Sequence, residues 1–368
     1  MPFSRQSTGF VSPPVVAAAL LAALAACESS STGPAEEAPV DRIVFISNRD
    51  SASVQYPDTP ERHVYVMGVD GSNVRKLMET EAQYRNLRLS PDGTRMLFTS
   101  NAVRCLNTWV MSFPDSTVTQ LTGTETGERC NIGARWSPDG SMIAYHSSND
   151  PEDLWEVWVM NADGTGKNPV SNDPGTDYVH GWTPDGRVVF ASDRDGGEHA
   201  AYYAVNPDGT GLERLFEAHG YLAPHWSPDG TKIAALKPDL EGKMDVWVAN
   251  ADGTGGVNVT ESPEYETFPR YAADIWSPDG SRIVYSAVVD GSKDLFIADA
   301  DGTGATPLVT GPGSVDFYTW SPDGSRIVYS AIVDGSEDLF IADADGSDPV
   351  NLTDTLGEDF EARWLPAP

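Results

Sequence analysis

Basic residues are scarce in this chain: 24 Lys and Arg stand against 55 Asp and Glu among 368 residues, for a formal net charge of −31. So acidic a surface repels polyanions, which excludes sequence-independent binding of nucleic acid phosphates. Long apolar runs are also missing. The one apolar stretch, residues 15–26, is too short to cross a bilayer stably. No Gly-x-Ser-x-Gly elbow occurs, and the repeats below leave no room for an α/β-hydrolase domain. What is present is enough to fold: 40% hydrophobic and 10% aromatic residues can bury a core, unlike a disordered acidic chain. The 34 Gly and 27 Pro are too many for a helical bundle and predict many short strands joined by tight turns.

The first residues read as a processing segment. Arg5 supplies one positive charge, the apolar stretch follows, and small residues end it, as in a secretory signal. Leu24-Ala25-Ala26-Cys27 resembles the bacterial lipobox, in which the cysteine is lipidated and becomes the first mature residue. The expectation is a lipoprotein signal over residues 1–26, with ordinary cleavage as the alternative. Residues 27–40 are then a lipidated Cys27 and a polar, proline-containing tether. By the same resemblance, Glu28 rather than Asp after the cysteine implies the outer membrane rather than the inner one. The lipid is the expected contact with the membrane.

A five-residue phrase dominates the rest of the chain. It occurs as Leu89-Ser-Pro-Asp-Gly93, Trp136-Ser-Pro-Asp-Gly140, Trp182-Thr-Pro-Asp-Gly186, Trp226-Ser-Pro-Asp-Gly230, Trp276-Ser-Pro-Asp-Gly280 and Trp320-Ser-Pro-Asp-Gly324. Its aspartates recur every 44 to 50 residues, a propeller-sized period. Between phrases come an alternating apolar run, a variable loop, a second apolar run and a second turn such as Asn161-Ala-Asp-Gly164. That order is one four-stranded antiparallel blade. The tryptophan opening each phrase reads as packing between neighbouring blades. The first unit, from Asp41, has no phrase before it, whereas the chain closes with Ala362-Arg363-Trp364, which aligns with Ala134-Arg135-Trp136. An all-β, seven-bladed β-propeller over residues 41–368 is therefore predicted, its ring closed by the C-terminal strand. Residues 276–302 and 320–346 differ at two positions only, Val288 against Ile332 and Lys293 against Glu337, which leaves six blades as the alternative count.

The phrase, the following Ile-Ala-Tyr145 and Val157-Trp-Val-Met-Asn-Ala-Asp-Gly164 resemble the WD-like propeller repeats of the TolB type. The resemblance implies a cell-envelope protein that docks to protein partners. A short tether stands where that family's namesake carries a folded N-terminal domain.

Strand alternation places the phrase turns and the Asp-Gly turns on one side of the ring and the variable loops on the other. Candidate binding residues on the variable side are Arg88, Arg135, Tyr178, His180, His225, Arg270, Tyr271, Tyr318 and Arg363, with Asp177 among their neighbours. Solvated loop residues without a ligand are the alternative for each one. Cys105 and Cys130 fall on the same rim in an exported chain, which predicts a disulfide, with two unpaired thiols as the alternative. Asp299-Ala-Asp301-Gly302 looks superficially like a calcium loop but lacks the later ligands, so it reads as a turn. No cofactor is expected. The reading that emerges is a monomeric, non-enzymatic envelope module binding a protein or glycan. The enzymatic alternative is a metal-dependent polysaccharide lyase of oligogalacturonate-lyase type, with His180 and His225 as ligands. Because those histidines differ by one residue in their distance from the phrase tryptophan, strand parity does not require them to face the same way.

Overall fold

The computed structural model describes residues 41–50, 62–78, 84–101, 106–113, 115–123, 130–148, 154–196, 200–217, 222–239, 241–260, 265–268, 275–311, 313–355 and 357–366. The signal, Cys27 and the tether lie outside these residues, as do Cys105, Arg270 and Tyr271.

Seven four-stranded antiparallel sheets follow one another along the chain. Blade 3 is typical: Asn131–Trp136, Met142–Ser148, Trp155–Asn161 and Asn168–Pro169 pair in sequence order. Blade 1 departs as expected. Its strands Arg42–Ser47, His63–Gly68 and Arg75–Lys76 are completed by Asp359–Leu365, which pairs antiparallel with Arg42–Ser47. The C-terminal strand is buried over all seven residues. Seven blades are present, and the six-bladed count is set aside.

The phrase turns explain where much of the acid lies. Asp139 accepts the backbone N–H and hydroxyl of Ser141 at 3.0 and 2.8 Å and the hydroxyl of Ser137 at 2.6 Å, while Gly140 takes φ 69° to reverse the chain. These donors favour the ionised form, led by Ser137, and hold Asp139 down at about 2. Asp92, Asp279 and Asp323 repeat the pattern.

Tryptophan and arginine staple one blade to the next. The indole N–H groups of Trp136, Trp182 and Trp276 donate to the carbonyls of Arg88, Arg135 and His225 in the preceding blade, at 3.1, 3.1 and 2.9 Å. Arg95, Arg282 and Arg326 each lie over the phrase-position tryptophan of the following blade, at 4.6, 5.2 and 5.3 Å from the ring centroids of Trp136, Trp320 and Trp364.

Candidate functional site: the inner strands at Arg88, Arg135 and Arg363

The first strand of each blade lines the axis of the ring, and here the pleat is interrupted. In blade 3, Ile132 pairs with His146 and Arg135 with Ala144, so Gly133 and Ala134 face a single residue. The same two-against-one bulge precedes Arg88, His225 and Arg363. Asn86, Gly133, Ala223 and Glu361 occupy equivalent places in these bulges, with φ of 57°, 71°, 48° and 50°. A bulge re-aims the side chains that follow it, and the arginine or histidine comes two residues later in all four blades. Gly133 is needed there for a further reason: a Cβ would stand 2.2 Å from Cε1 of His146.

The electrostatics join these strands into one neighbourhood. Burial holds the Arg135 guanidinium down, at about 9, with Arg88 and Arg363 adding like-charge repulsion, so it remains a cation at neutral pH. His180 is held at about 4 by burial and by Arg135. His225 is held at about 3 by burial, then by His180, Arg135 and Arg88. His146, also at about 3, is depressed by burial, then by Arg135 and His180. All three imidazoles are therefore neutral at pH 7. Although His180 and His225 are partly accessible, protein surrounds them. His180 lies edge-on to Tyr202 and His225 to Phe268, at centroid distances of 4.9 and 5.3 Å.

Glu361 is the acid of the cluster. It is fully buried, and Oε2 accepts the backbone N–H of Leu87 in the neighbouring inner strand at 3.3 Å. Burial raises its pKa, while Arg363, the N–H of Leu87, Arg88 and the N–H of Asn86 oppose the rise. Nothing in residue type marked Glu361 in advance, because its partner is 274 residues away.

One candidate from the sequence, Tyr318, is corrected, and the neighbouring Asp177 is found in a structural ion pair. Tyr318 is fully buried, and its hydroxyl donates to the Val284 carbonyl at 3.2 Å. It occupies the position two before the phrase tryptophan, where Leu87, Ala134 and Ala362 are also buried, so it belongs to the core rather than to a contact surface. Tyr318→Phe should lower stability by about 1 kcal/mol, or roughly 2 °C in melting temperature, and leave partner binding unchanged. A change in binding without a change in melting would contradict this placement. Asp177 is also structural: Arg194 bonds its Oδ1 at 3.3 Å and lies over the rings of Phe190 and Tyr203. Arg49 does the same in blade 1, bonding Asp359 at 2.9 Å and lying over Phe45 and Tyr65. The repeated Ser47-Asn-Arg-Asp50 and Ser192-Asp-Arg-Asp195 carried this signal in the sequence.

The remaining candidates differ in placement. Tyr178 is 44% exposed and packs with His146 and Trp155 at 5.4 and 6.3 Å. Arg363 is buried against Phe317, 4.9 Å from its centroid. Cys130 is disulfide-bonded. Strand parity is interrupted in blade 4, where His180 is an extra bulge residue between Val179 and Gly181, and His180 lies within electrostatic reach of His225. A metal nevertheless fits poorly. Among the described residues no group of three or more His, Cys, Asp or Glu is placed to hold one, and guanidinium charges beside both imidazoles disfavour a divalent cation.

Seven four-stranded sheets following one another along the chain, the first completed by the C-terminal strand, define a repeat-built β-propeller. Residues 41–321 match the TolB beta propeller domain, and the chain belongs to that family. It is 31% identical to the Tol-Pal system protein TolB of Anaeromyxobacter dehalogenans strain 2CP-C over 114 residues, 31% of this chain and 25% of that protein. The match thus spans about a quarter of the length of that relative. The crystal structure of TolB from Acinetobacter baumannii aligns with a TM-score of 0.54 at 17% identity, over 88% of this chain and 66% of that one. An oligogalacturonate lyase in complex with manganese aligns with a TM-score of 0.58 at 19% identity, over 85% of each chain. At these identities the two structures share the fold only.

Proposed function

We propose that the protein is a non-enzymatic binding module of the bacterial envelope, held to the outer membrane by a lipid on Cys27 and presenting its variable face to a protein partner, or to a glycan. Membership of the TolB propeller family carries this reading, since a relative bears the name of a Tol-Pal system protein. A rigid ring supports it physically: side chains fixed on stapled strands lose little conformational entropy on binding. A disulfide between Cys105 and Cys130 would stiffen the same rim. The lyase reading gains nothing from the shared fold and meets an unfavourable charge environment at His180 and His225.

The test is fractionation with crosslinking in intact cells. The wild-type chain should sediment with outer membranes and crosslink reproducibly to an envelope component, and Cys27→Ser should move it to the soluble fraction. If Cys27→Ser left the distribution unchanged, the anchor would be wrong. If Tyr178→Ala left every crosslink intact, the assignment of the variable face would fail.

A further inference from the structure

The basic cluster on the inner strands is at odds with the rest of the molecule. In a chain of net charge −31, three guanidinium groups, Arg88, Arg135 and Arg363, occupy equivalent positions on the inner strands of blades 2, 3 and 1. Each directly precedes the phrase-position residue, and each pairs in register with the second strand, opposite Leu97, Ala144 and Val44. The charges that bear on Arg135 are the other two arginines. Glu361 sets one carboxylate against Arg363 and Arg88, so the four groups together carry an excess of positive charge. Like charges gathered at this density repel one another, and an entering anion relieves that repulsion.

The adjoining blade leaves room for such an anion. Its residue at the same position is Gly181, paired with Val189. A Cβ built there meets no atom within 4 Å, and the backbone is not in the left-handed region. The neighbouring Trp182 is the residue whose indole bonds the Arg135 carbonyl, which ties this notch to the arginine beside it. The histidines bordering the arginines, His180 and His225, are uncharged at neutral pH and can donate an N–H without adding to the repulsion.

We propose that Arg88, Arg135 and Arg363, with the notch at Gly181, form a binding site for an oxyanion of the carboxylate or phosphate type. Guanidinium forks match the planar spacing of carboxylate and phosphate oxygens and bind them bidentately. The acidic exterior selects against extended polyanions, so the ligand is a small anion or a single anionic group at the tip of a larger molecule. The inference goes beyond the envelope reading and does not depend on it, because the purified chain alone decides it.

Isothermal titration calorimetry of the purified full chain with citrate, inorganic phosphate and glutarate, with glucose as a neutral control, provides the test. At least one anion should bind and the neutral sugar should not. Phosphate alone would assign a phosphate ligand, and citrate or glutarate a carboxylate. The double variant Arg88→Gln, Arg135→Gln should weaken that affinity at least tenfold. Gly181→Met keeps every charge and fills the notch, so it should weaken binding by a similar factor while the melting temperature holds. It decides the matter if the double variant does not fold. Absence of binding by all three anions at millimolar concentration, or binding unchanged in Gly181→Met, would overturn the site.

Discussion

Removal of residues 359–368 should abolish the cooperative unfolding transition of the propeller or lower its midpoint by more than 20 °C. The lost strand is the inner strand of blade 1, and every one of its residues from Asp359 to Leu365 is buried. Loss of Phe360, Trp364 and Leu365 leaves two core clusters short of large side chains, and removing a single buried Phe or Trp side chain costs about 3–5 kcal/mol. Their sum rivals the whole stability of a typical domain, about 5–15 kcal/mol. Polar losses add to it. Arg49 loses Asp359, and the N–H of Leu87 loses Glu361. The edge of Arg42–Ser47 is left unpaired, so aggregation should accompany the loss of stability. Thermal melts followed by circular dichroism and light scattering read both effects, and an unchanged melting curve would show that the ring does not depend on its C-terminal closure. A synthetic peptide of residues 359–368 should restore part of the transition, since the missing strand is a self-contained segment.

The architecture was legible because it is repeated. Six phrases in register specify the turns, and the match of Ala362-Arg363-Trp364 to Ala134-Arg135-Trp136 assigns the last strand to the first blade. Repetition also explains the tryptophans, of which Trp136, Trp182 and Trp276 bond the preceding blade in the same way. The bulges were not legible. Residues as different as Asn86, Gly133, Ala223 and Glu361 all adopt positive φ at one structural position, so only Gly133 and, more weakly, Asn86 carried a local signal for it. Once the bulge is missed, parity along the strand is miscounted, and His180 and His225 appear unrelated when they share one environment.

Tyr318 failed for the opposite reason. Residue type suggested recognition, but comparison with Leu87, Ala134 and Ala362 at the same place in other blades would have marked the position as core. The Leu87 N–H bonded by Glu361 lies 274 residues away in the chain, and a contact made only by closing the ring leaves no trace in local sequence. Part of the acidic excess seen at the outset is now placed in the turns, where Asp92, Asp139, Asp279 and Asp323 serve backbone geometry.

Acidification from pH 7 to pH 5 should destabilise the fold through His146, His180 and His225. Their folded pKa values, about 3, 4 and 3, lie below the unfolded value of 6.5. In this window the unfolded chain takes up protons that the native state does not, so stability rises with pH and is lost as pH falls below 6.5. Each histidine contributes at most about 2 kcal/mol between pH 7 and pH 5. Partial exposure of His180 and His225 reduces their share, for a combined loss of about 4 kcal/mol. Other groups act in or below this range. Burial raises the folded pKa of Asp177, Asp294, Asp338 and Glu361, so protonating them on acidification returns some stability. The turn aspartates held near 2 keep their contribution until the pH drops below about 4. His146→Phe separates these effects: it keeps an aromatic ring beside Trp155 and Tyr178 and removes one titrating group. Denaturant unfolding at pH 7 and pH 5 should show the difference between the two stabilities shrinking by about 2 kcal/mol in the variant. An equal pH dependence in both proteins would mean that His146 is protonated in the native state. The effect of burial on His146, and with it the lesser contribution of Arg135, would then be weaker than their geometry implies.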